Sequence, residues 1–439
     1  MWKRICSLIA TSLLFSTAAF AQDGEYLSYT PYSIFGVGDL LGSASSAYNA
    51  GMGGVGVANR NNRYLNTVNP AAIAVRDSLA LMVDFSLFNK NSLYSQDYGG
   101  VKRSSANNIT NIGGFAVSFP IWNKIAGAVG IRPYSSVGYG ISYSHVDAEN
   151  GVVTYSHTGL GSLYNAYGGV AVDLWKRLSL GVEADYIFGK IAKSAIQNFQ
   201  SSGYNEAQSY YTLTLNAFTG KLGLQYEQAL SKELRLGFGA TYGFAAKVRG
   251  FNEGKFYSAG SVQNITLPSS YSDTLGRDSG ISLADELNLG ISLNYADKFR
   301  AEFNYSRSDW TASGMDYTKG FKVSDAEQPF VNAVRQSYRL GMEYVPNLND
   351  VRYYYRRIAY RAGAYYNDEY YTVAGQKVNT VGITLGVTLP VFRWYNGLSI
   401  TLDAGRRGPF KGNLVGENFL KFTFGVNLFD IWFQQPRYE

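Results

Sequence analysis

The chain has 439 residues, of which 46% are hydrophobic, 15% aromatic and only 16% charged. Soluble domains carry about 25% charged residues, disordered chains lack aromatic and β-branched residues, and a bundle of transmembrane helices needs repeated apolar runs of roughly 18 residues. With 36 tyrosines, 48 glycines and a net charge of +6, what remains is a β-rich protein with no electrostatic case for a nucleic-acid partner.

Residues 1–21 read as a secretory signal. Lys3 and Arg4 form the basic start, 5–20 the apolar stretch, and Ala19-Phe20-Ala21 the cleavage site. Cleavage removes Cys6, the sole cysteine, so no disulfide or thiolate metal site is expected, and it trims the charge to +4.

Residues 22–77 do not alternate as strands do. They hold a small-residue run containing Gly51, Gly53, Gly54 and Gly56, followed by Asn69-Pro70-Ala71. Small residues allow close backbone packing. A compact plug inside a barrel is the expected role, and a periplasmic linker the plainer alternative. The glycines are no nucleotide loop, because the Lys-Ser/Thr of a P-loop is missing.

From residue 78 to 430 the pattern alternates with period two. Leu178, Leu180, Val182, Ala184, Tyr186 and Phe188 share one face, opposed by Ser179, Gly181, Glu183 and Asp185. Phe299, Ala301, Phe303 and Tyr305 likewise oppose Arg300, Glu302 and Asn304. About fourteen strands are predicted, at 79–88, 113–120, 125–143, 163–174, 178–189, 212–228, 233–249, 281–295, 299–311, 335–344, 357–367, 378–389, 396–405 and 419–429. Long connections (89–112, 144–162, 190–211, 250–280, 312–334) alternate with short ones (121–124, 175–177, 229–232, 296–298). That asymmetry belongs to outer-membrane barrels, with long outside loops and short periplasmic turns. Trp122, Trp175 and Trp394 fall in short connections and Trp432 just past the last strand, which suits a periplasmic aromatic belt. The fold predicted is an all-β transmembrane antiparallel barrel, plugged at 22–77 and ending in a periplasmic tail at 431–439. Its location is the outer membrane of a Gram-negative bacterium, with membrane lipid as its first partner.

Several residues are candidates for function. Pro133, in the third strand with Gly138 and Gly140 beyond it, cannot donate a ladder hydrogen bond; it marks either a lateral gate or an ordinary bulge. Arg132, Arg235, Arg300, Arg339 and Arg361 sit on polar faces and could meet an acidic ligand head. Glu183, Asp185, Glu302, Glu343 and Asp403 share such faces, so ion pairs that brace the lumen are the favoured explanation and no arginine stands out. No catalytic or metal site is expected: His145 and His157 fall in one outside loop with no ligand at metal spacing. Arg352, Tyr353, Tyr354, Tyr355, Arg356 and Arg357 follow an unusually long periplasmic connection. They form either an interfacial belt or a docking surface for a partner.

The glycine run 51–58, then Asn69-Pro70-Ala71, then about fourteen strands, resembles the FadL/TodX family of outer-membrane channels for hydrophobic compounds. The segment 26–36 and the tail 430–439 resemble Bacteroidota members. The resemblance implies an N-terminal hatch, capture of an apolar, fatty-acid-like ligand from outside, passive uptake and lateral exit beside the third strand, without a cofactor. Some relatives instead serve as accessory subunits of secretion or barrel-assembly machines. An apolar tunnel reaching Pro133 favours transport. A closed, charge-filled lumen with exposed Tyr/Arg surfaces favours the accessory role.

Overall fold

A computed structural model describes residues 26–42, 46–76, 79–98, 100–147, 151–175, 177–200, 206–259, 269–275, 280–318, 320–321, 330–391, 396–408 and 414–431. The segments 1–21 and 432–439, with Trp394 and Trp432, lie outside the described residues.

Fourteen antiparallel strands close into one barrel. They are β1 (Ala80–Tyr98), β2 (Val101–Trp122), β3 (Ile125–Asp147), β4 (Gly151–Asp173), β5 (Leu178–Phe199), β6 (Glu206–Ala229) and β7 (Leu234–Gly243, continued by Arg249–Ala259). There follow β8 (Ser269–Leu275 leading to Glu286–Tyr295), β9 (Phe299–Asp309), β10 (Phe330–Asn332 leading to Val334–Tyr344), β11 (Ala359–Val373), β12 (Gln376–Pro390), β13 (Gly397–Arg407) and β14 (Gly416–Ile431). Closure is by β14 on β1, in register from Ala80↔Ile431 to Ser95↔Gly416.

Burial follows the alternation, inside out. On β5, Leu180, Val182 and Tyr186 are exposed whereas Ser179, Glu183 and Asp185 are buried. Phe303 and Phe424 are exposed while Arg300, Glu302 and Thr423 are buried. A sandwich would reverse this, hiding its greasy face between sheets. Here that face is offered to lipid, and the polar face encloses the lumen.

The strands are longer than the alternation predicts. Residues read as outside loops are largely ladder: β1 runs on to Tyr98, β2 starts at Val101, β3 reaches Asp147 and β4 starts at Gly151. Above the lipid both faces meet water. Polar runs such as Lys102-Arg103-Ser104-Ser105 therefore pair without any apolar alternation to betray them.

A seam interrupts the wall between β2 and β3, besides the break between β7 and β8 where Ala246 and Lys247 pair with Leu283 and Ser282 in a separate two-stranded sheet. β2 and β3 pair only from Trp122↔Ile125 to Phe115↔Ile131. On its other edge β3 pairs with β4 from Ile125 to Asp147, with an irregularity between Pro133 and Ser135. The freed β3 edge is met by the N-terminal segment. Asp39 and Leu40 pair with Ser136 and Ser135, the Thr30 amide donates to the Gly138 carbonyl at 2.8 Å, and the Leu41 amide to that of Tyr134 at 3.1 Å.

Candidate functional site in the lumen

The N-terminal residues lie against the inward face of the wall because glycines on both sides let backbones touch. Gly53 and Gly54 have φ of +69° and +81°, open to glycine without strain. The Gly53 amide donates to Thr384 Oγ1 at 2.9 Å. A Cβ on wall residue Gly341 would fall 2.3 Å from the Met52 carbonyl, and one on Gly239 2.1 Å from that of Val57. Asn69-Pro70-Ala71 opens a short 3₁₀ turn, Pro70–Ala74. The Asn69 side chain accepts from the Ala71 amide at 2.9 Å, and Pro70 fills a position where its missing N–H costs nothing. The Asn69 amide group also donates to the carbonyls of Val57 (2.7 Å) and Leu224 (3.1 Å), tying the motif to β6.

Buried charge fills the space around this contact. Arg132 pairs with Glu183 at 2.7 Å and Asp185 at 3.1 Å, and Lys221 joins Glu183 at 3.3 Å. The Arg132 guanidinium also lies 4.3 Å over the Tyr167 ring and donates to the Thr67 carbonyl. Arg361 pairs with Glu343 at 2.8 Å and stands over the Tyr48 and Tyr64 rings. A third network escaped the sequence reading. Arg407 meets Asp39 (2.9 Å), Glu369 (3.4 Å) and Glu417 (3.9 Å), and Lys90 meets Glu417 at 2.7 Å. Asp39 sits in a segment without periodicity, so no pattern could have matched it with Arg407.

The other candidate residues are spread out. Arg235 pairs with Asp297 and Glu227, and Arg300 lies 3.8 Å from Asp297, all near the short-turn end. Arg339 differs: it donates to Ser337 Oγ and approaches Asn367, and no carboxylate bridges it among the described residues. Pro133, Gly138 and Gly140 lie on the seam strand. A Cβ on Gly138 would sit 2.2 Å from the Ser28 carbonyl, so that glycine makes room for the N-terminal segment. Cavities of about 170 Å³ and 120 Å³ between this segment and the wall both reach Pro133.

At the short-turn end Trp122 and Trp175 are exposed. The loop after β10 is ordered by Asp350, whose carboxylate accepts from the amides of Tyr353 (2.7 Å) and Arg352 (2.9 Å) and from Arg356. Those bonds, the Tyr353 amide first, hold its carboxyl below the usual value. Val351 and Tyr353, Tyr354 and Tyr355 are exposed, and Arg356 packs over the Tyr353 and Tyr355 rings. Among the described residues no cluster of His, Cys, Asp or Glu could hold a metal, and no helix is long and apolar enough to cross a membrane.

This geometry defines an outer-membrane β-barrel with a FadL-like fold. Three solved structures share it. The P. putida toluene transporter TodX aligns with TM-score 0.61 and 15% identity over 90% of this chain and 100% of its own. The monoaromatic hydrocarbon channel CymD aligns with TM-score 0.55 and 14% identity over 91% and 98%. The Ralstonia pickettii toluene transporter TbuX aligns with TM-score 0.54 and 15% identity over 87% and 97%. At such identities the likeness is one of fold. No curated protein matches the chain. The BamG family model matches residues 1–439, and the chain belongs to that family.

Proposed function

We propose that this protein is a closed structural barrel that serves as an accessory subunit of an outer-membrane assembly or secretion complex. One observation carries the reading: the lumen is occupied by a backbone-to-backbone glycine contact and braced by buried ion pairs. Moving the segment 46–76 would strip partners from Glu302, Thr384 and Arg132, whose bonds run to the Ala58 amide, the Gly53 amide and the Thr67 carbonyl. Each buried polar group left without its hydrogen bond costs roughly 1–3 kcal/mol, so opening by the ligand alone is disfavoured. The cavities are smaller than the roughly 300–1,000 Å³ of ligand pockets, and Arg132, Asp185, Lys221, Arg339, Asp403 and Arg407 stand among the apolar residues that line them. Charges set into the wall disfavour a hydrocarbon path. The exposed Tyr/Arg loop supplies the composition of interface anchors, and the family's name, a lettered Bam component, points the same way.

Uptake of hydrophobic compounds with lateral exit is the second reading. The functions in the names of the TodX, TbuX and CymD structures support it, as does the β2–β3 seam at Pro133. The two separate in one experiment. The tagged protein is purified from its own outer membrane in mild detergent, as wild type and as R352E/R356E/R357E. The accessory reading expects stoichiometric partners with the wild type and their loss from the variant, both barrels remaining heat-modifiable on gels. A protein that purifies alone and speeds toluene entry into liposomes would replace it with the channel reading.

A further inference from the structure

Most lumen cations are matched by carboxylates; three gathered at one cavity are not, whereas Lys193, which also lacks one, is held by the Gly36 and Phe321 carbonyls. Arg335, Arg339 and Lys421 have no carboxylate within salt-bridge distance among the described residues, and all three line the 170 Å³ cavity. Its other charged walls are Lys90 and Arg407, already committed to Asp39, Glu369 and Glu417, of which Asp39 and Glu369 line the cavity too, and Asp403, which stands opposite Lys421 in the β13–β14 register and accepts from the Tyr365 hydroxyl at 2.9 Å. The Arg335 Nε is buried without an acceptor. Arg335 and Arg339 also border the adjoining cavity of about 20 Å³, where Glu286 and Arg307 are the remaining charges. The inward strand period sets Arg335, Ser337 and Arg339 on one face of β10. Across the space, Lys421 of β14 lies 4.5 Å over the Phe88 ring.

Like charges gathered in a half-buried space repel, and unpaired guanidinium donors out of water are costly. A counter-anion relieves both. We propose that the cavity beside Gly53 and Gly54 is a binding site for a small tetrahedral oxyanion of the phosphate or sulfate class. Two arginine forks match such an anion through paired N–H donors, and the lysine adds a point charge. The volume suits an anion with a few waters, a single water's share being about 30 Å³. Because Gly42, Ala50, Gly53 and Gly54 form the opposite wall, the anion would bind the N-terminal segment to β10 and β14. The proposal is independent of whether the barrel is an accessory subunit or a channel.

Titration calorimetry of the full chain in detergent, in buffer free of oxyanions, tests it with inorganic phosphate, then sulfate, then dodecyl phosphate. Saturable phosphate binding is expected, weakened at least tenfold in R339Q and in R335Q, with K377Q, on an exposed lysine, unchanged. R339K, which keeps charge but loses the fork, should fall between. Dodecyl phosphate binding tenfold tighter than phosphate would reassign the site to a lipid headgroup and overturn the small-anion proposal. Absence of saturable heat, or equal binding by R339Q and wild type, would overturn it outright. Heat-modifiability of each variant on gels separates lost binding from lost folding.

Discussion

At the scale of single residues, the inward face is intolerant where backbones touch and lenient where they do not. Gly341→Val would drive a side chain into the Met52 carbonyl, whereas an alanine Cβ at Gly243 meets Glu286 no closer than 3.9 Å. Overpacking costs about 1–3 kcal/mol. Guanidine unfolding in detergent, followed by tryptophan fluorescence, should therefore show G341V destabilised by that order and G243A near wild type. Arg361 and Glu343 make a sharper case, both side chains being almost wholly buried. R361M alone strands the carboxylate and should cost roughly 3–5 kcal/mol, while R361M/E343L, which removes both charges, should recover most of the loss. Equal destabilisation of single and double variants would contradict the ion-pair account.

At the scale of elements, the seam between β2 and β3 explains why an N-terminal segment without periodicity has a defined place. A strand edge left unpaired must find donors and acceptors elsewhere. Ser136 Oγ accepts from the amides of Leu27 (2.8 Å) and Ser28 (3.0 Å), both buried. Ser136→Ala orphans those donors, at about 1–3 kcal/mol each. Hydrogen exchange should speed up across 27–41 in S136A and stay unchanged in β5 and β6. The Tyr/Arg loop has a different dependence. Asp350 titrates lower folded than unfolded, so its stabilisation is present above the ordinary value of 3.8 and is lost as pH falls through the depressed folded value. Limited proteolysis at the loop should thus be flat from neutral pH down to about 4 and rise below it, the rise being absent in D350A, which is cleaved at every pH.

At the scale of the whole molecule, a braced and occupied lumen has an electrical consequence. Purified wild-type protein in planar bilayers should give no steady conductance, because ion flow needs a water path that the buried networks interrupt. Large, stable openings in the wild type would argue that the segment 46–76 leaves readily. Membership in the BamG family and a FadL-like fold meet here. A FadL-like wall and an occupied lumen are compatible, since lipid-facing and lumen-facing side chains alternate and can change separately.

The sequence by itself determined the barrel, because a period of two with apolar residues on one face survives any loop arrangement. Leu180, Phe303 and Phe424 are exposed as the alternation requires. It also singled out Asn69-Pro70-Ala71 and the glycine run, since Asn before Pro and clustered Gly act through their own backbones. Local patterns could not show the seam closed by Asp39 and Leu40, the Arg407 network, or the unmatched Arg335, Arg339 and Lys421. Each depends on which strands become neighbours, and two side chains hundreds of residues apart acquire a common energy only once the barrel has closed.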